Sequence, residues 1–406
     1  MKCSSVVFPD SCPYVCGIGA VSSLGIDSAT HVEKILEGKC AFRPLAELWG
    51  EGHAWDRIPA AWLEDRELFM GRRQGPASIL ALLLARQAVE DAGWGARELE
   101  SAALIVGSSR GNAMGWLDSI PGRRKIKLLS VPQSLHSELA SSVTIEFGIH
   151  GPYHVLASGC AAGLDAVGLA AMLVESGVVE RALAIGLDLP LSPSVLDTYW
   201  SSGMLAQVGV NNPYGEDADG MVIAEGGGAV ALSIHPEEGV PYGRVLDYRS
   251  NSDASSPLGM PADGLQLGRL IKTSLEKTGA VCEALTICPH ASGTRNNGIA
   301  EKAALKYAFS GEEGTALRFP DVRLMKPWCG HAIGGSGILE LCMMLAFAKR
   351  GLLPPNLPGM ASPWEGCILS ETCDLLDDRI LLKTASSMGG HNAVLALSVN
   401  PNAPIL

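Results

Sequence analysis

Short apolar runs closed by glycine alternate with longer stretches whose apolar residues recur every three or four positions. Tyr14-Val15-Cys16-Gly17-Ile18-Gly19-Ala20-Val21 predicts a strand entering a glycine turn, and Asp27 to Glu37 a helix. Ala77 to Ala92 sets Leu80, Leu83, Leu84 and Val89 on one side of a helix. Ala102 to Val106 is a buried-type strand ending at Gly107, and Leu135 to Phe147 is helical. Gly151-Pro152 breaks the chain before the strand Tyr153 to Leu156. A small-residue helix runs from Cys160 through Val174, followed by strands Ala182 to Ile185 and Gly228 to Ser233. The pattern then restarts: helix Leu267 to Thr278, strand Ala284 to Cys288, helices Ile299 to Ala308 and Gly337 to Arg350, strands Ile380 to Thr384 and Ala393 to Leu397. Alternating strands and helices predict a layered α/β fold with mixed sheets. The two rounds predict an internal duplication, with halves at 1–235 and 236–406 sharing one interface.

Composition narrows the class. At 406 residues the chain exceeds the usual single core. Hydrophobic residues at 47% and charged residues at 18% suit a packed globule rather than a disordered chain. A net charge of -12 argues against general nucleic-acid binding but leaves room for an acidic partner on a local basic patch. Eleven cysteines without regular spacing imply no disulfide framework and point to a reducing compartment. The N-terminus lacks the apolar stretch of a signal peptide, and no apolar run is long enough for a membrane span. A cytoplasmic protein is the expectation.

Three motifs carry the candidate chemistry. Cys160 lies in Ser158-Gly159-Cys160-Ala161-Ala162-Gly163, a strand-to-helix elbow whose small residues let the chain turn sharply and the thiol protrude. A thiol at a helix N-terminus meets the positive end of the dipole, which predicts a bias toward thiolate. His290 follows the apolar run Leu285-Thr286-Ile287-Cys288, at the strand edge where α/β sites gather. His331 follows Lys326-Pro327-Trp328-Cys329-Gly330 and precedes Gly334-Gly335-Ser336-Gly337 and an apolar helix. Either histidine alone is more often structural than functional; with Cys160 they describe a nucleophile and two imidazoles. Cys288-Pro289-His290 and Cys329-Gly330-His331 form a conceivable zinc set, but one-residue spacing is tighter than structural zinc sites use. Gly17-Ile18-Gly19 lacks the third glycine and the acidic residue of a dinucleotide site.

These residues resemble the β-ketoacyl synthases, the thiolase-fold condensing enzymes. The resemblance spans Gly17-x-Gly19, Leu24-Gly25, Gly151-Pro152, the Cys160 elbow, Asp219-Gly220 and Glu225-Gly226-Gly227-Gly228. It continues through His290-x-x-Gly293-Thr294-x-x-Asn297-x-x-x-Glu301 and Lys326-x-x-x-Gly330-His331, and ends at Gly389-Gly390-His391-Asn392. It implies a thiolase-like fold of duplicated α-β-α-β-α layered halves with mixed five-stranded sheets. It implies that Cys160 accepts an acyl chain while His290 and His331 bind the malonyl thioester and promote decarboxylation. Lys326 would orient His331 and the surrounding network, and Glu340 on the following helix would support the same turn. Backbone N–H groups of Cys160 and Met388 would form an oxyanion hole, with Thr294 and Gly389 in supporting positions. No metal or organic cofactor is implied; acyl carrier protein delivers the substrates on phosphopantetheine.

The departures matter. The family's closing loop usually reads Gly-Phe-Gly-Gly; here it is Ser387-Met388-Gly389-Gly390, with Ser386 where an aromatic is common. Ala218 replaces the Arg usual before Asp219-Gly220, and Gly298 the Asp usual after Asn297. These changes point to a specialised pathway enzyme rather than the housekeeping elongation enzyme, and fatty acid, polyene and polyketide synthesis all stay open. Arg72-Arg73 and Arg123-Arg124-Lys125 are candidate docking bases for the carrier. Leu164 to Val174, with Leu128 to Val131, could line a dimer seam or an acyl tunnel. A homodimer, or a heterodimer with a related subunit, is implied. Two alternatives stay open: a non-catalytic partner subunit of chain-length-factor type, and a non-decarboxylating thiolase.

Overall fold

Side-chain alternation along each strand divides its residues between two helical layers, and this organises the computed structural model. The residues described are 11–69, 73–112, 130–133, 135–207, 212–236, 239–280, 282–309, 320–375 and 379–399. The first half supplies β1 (Tyr14–Ser22), β2 (Ala103–Gly107), β3 (Tyr153–Leu156), β4 (Arg181–Asp188) and β5 (Gly226–Ser233). The second supplies β6 (Gly243–Ser252), β7 (Leu285–Cys288), β8 (Asp321–Val322), β9 (Ile380–Ser386) and β10 (His391–Val399). The main helices are α1 (Pro76–Asp91), α2 (Glu138–Phe147) and α3 (Ala162–Glu175), then α4 (Leu265–Thr278), α5 (Arg295–Phe309) and α6 (Ser336–Lys349).

Strand order is β3-β2-β4-β5-β1 in the first half and β8-β7-β9-β10-β6 in the second, the same order by position. Pairing repeats too: the three outer strands of each half run parallel, and the other pairs are antiparallel. The halves join where β1 meets β6, at Tyr14↔Arg244 and Val15↔Gly243, so two five-stranded sheets form one ten-stranded sheet. The expected duplication is therefore written in the topology. Sequence reading missed β6 and β8, the first because Arg244, Asp247 and Arg249 interrupt its short apolar stretches and its outer end is polar.

In the first half Leu104, Val106, Leu183 and Ile185 face outward against α1 and α2. Their neighbours Ala103, Ile105, Ala182 and Ala184 face inward, onto α3 and α6. In the second half Leu285, Ile287, Leu382, Val394 and Ala396 pack outward on α4 and α5, while Leu381, Ala385, Ala393, Leu395 and Leu397 face inward. The central pair α3 and α6 is thus sandwiched, which explains why every residue of α6 except Lys349 is buried. The segment Leu164 to Val174, a candidate seam or tunnel lining, is mostly this interior helix, with Met172 at 51% exposure an exception. A fourth cluster, including Trp55, Trp62, Leu196, Tyr199 and Ile333, roofs one end of the central pair and holds partly buried Cys160 against it. Among the described residues no helix is long and apolar enough to cross a membrane.

Candidate active site

The N-terminal ends of α3 and α6 meet under the roof, each entered by a 3-10 turn, Gly159–Ala161 and Ile333–Gly335. Glycine lets the turns touch. A Cβ on Gly163 would lie 2.6 Å from the Gly334 carbonyl oxygen, and one on Gly334 would lie 2.7 Å from Asp188 Oδ2. The first turn carries Cys160; the residue two before Ile333 is His331. His290, at the mouth of β7, completes the group: its ring stands edge-on to that of His331, centroids 5.2 Å apart. The motifs singled out in the sequence are brought together.

His331 has a defined tautomer. The Ile333 backbone N–H donates to Nδ1 at 3.1 Å, so Nδ1 carries no proton. Ser336 Oγ lies 2.8 Å from the same nitrogen as a second donor, and the remaining proton belongs on Nε2. His290 is fixed through its backbone. Its N–H is shared between Glu301 Oε1 at 2.7 Å and Thr384 Oγ1 at 3.1 Å, and its carbonyl accepts from the Lys326 ammonium. Thr294 Oγ1 lies 2.9 Å from Ser292 Oγ, which steadies the loop leading to α5. Ala291 and Ile333, one beside each histidine, hold left-handed φ values of 46° and 47°. Such backbone costs energy for a residue with a Cβ and marks geometry enforced by its surroundings.

Charge lies beneath the histidines. Lys326 and Lys383, both buried, flank buried Glu340 at 2.6 and 2.9 Å. Within the network the resemblance assigned to it, Lys326 reaches the turn of His290, and Glu340 ties it to α6. Burial, then the nearby Lys326 charge, pushes both imidazoles well below the usual histidine range. Both rings are neutral at pH 7 and available as N–H donors. Lys383 was not anticipated, although a lone lysine inside the apolar run Ile380-Leu381-Leu382 was the available signal.

Cys160 reverses an expectation. Burial pushes its thiol up to about 11, with Lys326 and Arg110 pulling down and Asp188 pushing up. The helix-end bias toward thiolate is outweighed by desolvation and the Asp188 carboxylate. The Cys160 N–H donates to Ser387 Oγ at 3.1 Å. Met388, in the same loop, is 36% exposed, and Gly389 takes φ 88°. Asp188, also unanticipated, accepts from Ser108 Oγ, Ser109 N, Arg110 N and Gly334 N at 2.8 to 3.0 Å. Cys288 directs its thiol at Glu340 and Cys329 at the Met325 carbonyl. Among the described residues no group of three or more His, Cys, Asp or Glu is arranged to hold a metal ion. Arg73 is exposed, whereas Arg72, Arg123, Arg124 and Lys125 lie outside the described residues.

Comparison with known proteins shows the family and the fold. Residues 14–237 match the model of the beta-ketoacyl synthase N-terminal domain, and residues 242–359 that of the C-terminal domain. Nodulation protein E of Rhizobium sp. (strain N33) is 26% identical over 409 residues, 94% of this chain and 98% of that protein. A ketosynthase solved in complex with its type II polyketide synthase acyl-carrier protein superposes with a TM-score of 0.82 at 21% identity, covering 96% of this chain and 99% of that one. The ishigamide ketosynthase/chain length factor gives 0.81 at 23%, with the same coverage. At these identities the two structures establish the shared fold.

Proposed function

Because the chain belongs to the β-ketoacyl synthase family, we propose that it catalyses decarboxylative condensation of a Cys160-bound acyl chain with a malonyl thioester. The observation that carries this reading is the pair of buried, neutral imidazoles set edge-on at 5.2 Å, one with its proton assigned to Nε2. Two N–H donors in a desolvated pocket suit an enolate oxygen that forms when carbon dioxide leaves. A cationic imidazole would hold its proton less readily and would repel Lys326. The carbanion then attacks the Cys160 thioester. Lys326 and Glu340 position the His290 turn against α6, and the backbone N–H groups of Cys160 and Met388 serve as oxyanion donors.

The chemistry asks for no metal or organic cofactor, since carbon dioxide loss supplies the carbanion. Substrates would arrive on the phosphopantetheine of an acyl carrier protein in the cytoplasm, with Arg73 one base available for docking. Edge strand β3, with Tyr153 and His154 exposed, has no strand partner on its outer side among the described residues and offers that edge to a second copy or a related subunit. Intact-protein mass spectrometry with acyl-carrier thioesters, wild type beside Cys160→Ala, tests the proposal. Loading of wild type only, then a two-carbon extension after malonyl carrier is added, is expected. No loading with any carrier or partner subunit would leave the partner-subunit reading in its place.

A further inference from the structure

The two halves approach the site on the same backbone turn. Ser158 and Ala332 open it at φ -82°, ψ 32° and φ -83°, ψ 34°. The next residues, Gly159 and Ile333, are both left-handed, at 63° and 47°. Cys160 and Gly334 follow, and each donates its backbone N–H across to the other half. Gly334 donates to Asp188, the last residue of β4, at 2.8 Å. Cys160 donates to Ser387, the residue after β9, at 3.1 Å. The acceptors differ in kind. Asp188 is fixed by three further donors. Ser387 offers a neutral hydroxyl on a single side-chain rotor, buried directly over Gly159, where a Cβ would lie 2.1 Å from Oγ.

We propose that the Ser387 hydroxyl is a displaceable plug in the oxyanion site of Cys160, an inference that rests on Cys160 being the acyl acceptor. During loading, Cys160 Sγ bonds to the thioester carbonyl carbon and the carbonyl π pair moves onto oxygen. The pair returns as the bond to the carrier sulfur breaks, and the carrier thiolate takes up the proton that Cys160 gave up. The developing oxyanion and Ser387 Oγ are acceptors for one N–H. The hydroxyl must rotate aside before the N–H can hold the charge, so the free protein resists acylation until a carbonyl displaces the plug. The family's glycine at this position has no side chain to make such a bond.

The test measures two reactions of Cys160 in the full chain, wild type, Ser387→Ala and Ser387→Gly. One is acyl transfer from a hexanoyl thioester of N-acetylcysteamine. The other is alkylation by iodoacetamide, which develops no oxyanion. Loss of one competing hydrogen bond predicts acylation roughly three- to ten-fold faster in both variants, with alkylation unchanged. Acylation at the wild-type rate or slower overturns the plug, the latter because the hydroxyl would then be helping the oxyanion. A parallel rise in both reactions also overturns it, since Ser387 would only shield the thiol. If none of the three proteins acylates, the acyl-acceptor reading itself has failed and the plug falls with it.

Discussion

The elbow of Cys160 and the turn of His331 are one backbone device used twice, and they differ in how firmly each is held. The turns and the helices behind them correspond residue for residue, Gly159 with Ile333 and Glu175 with Lys349, a constant spacing of 174. The second copy is rigid: Ile333 is strained, its N–H fixes the imidazole tautomer, and Glu340 between two lysines anchors the helix. The first is less constrained at the turn itself: Gly159 takes the left-handed position without strain, and a neutral hydroxyl caps the next N–H. On the proposed mechanism, a proton donor at His331 is aimed before substrate arrives, whereas an acyl acceptor at Cys160 must let a carbonyl in. The same frame thus carries two different sets of side chains around the two turns.

The sharpest way to break this comparison is to remove the two crosswise caps in turn. Asp188→Ala strands the donors of Ser108, Ser109, Arg110 and Gly334 in a buried site and is expected to cost roughly 3–5 kcal/mol. Ser387→Ala strands one N–H beside a partly exposed thiol and is expected to cost about 1 kcal/mol or less. Urea unfolding of both variants checks this. Equal losses would mean that the caps are equivalent and that the elbow is as rigid as its counterpart.

Gly159→Ala comes next in size. A Cβ at φ 63° costs about 1–2 kcal/mol on backbone grounds, and its overlap with Ser387 Oγ adds to that. Ser387→Gly in the same chain should recover the steric share and leave the backbone share. If the double variant is no more stable than Gly159→Ala alone, the contact between Gly159 and Ser387 does not matter energetically.

How far this site could be read from the sequence follows from what each residue needs around it. Cys160, His290 and His331 were legible because glycine-dense turns leave a local trace. The strand and helix order was legible from periodicity, and with it the duplication. Ser387 was visible only as a departure, because its partner, the Cys160 N–H, is 227 positions away in the chain. Asp188 and Lys383 were missed for the same reason: each is one charge ending or interrupting an apolar strand, and its partners come from distant segments. The thiol's direction was misjudged because helix-end position is local information, whereas burial and the Asp188 charge belong to the folded chain.

The smallest expected effect concerns the base of the elbow. Asp165, in the first turn of α3, accepts from Ser158, from Tyr248 at 2.8 Å and from His391 Nε2 at 2.8 Å. The matching position in α6 is Leu339, so only the first copy carries this titrating contact. The hydrogen bond to Asp165 raises the His391 pKa; burial opposes this, and the Asp165 charge reinforces it. A raised histidine pKa gives stability that is fully present below the unfolded value of about 6.5 and is lost as pH rises through the folded value. His391 is one-third exposed, which limits the effect to about 0.5 kcal/mol. Relative to His391→Gln, which keeps a donor but cannot titrate, wild type should lose about that much between pH 6 and roughly pH 9. Urea midpoints of both proteins across that range decide it. A gain for wild type on the alkaline side would show that the neutral ring is the form the elbow prefers, and that its stability owes nothing to this ion pair.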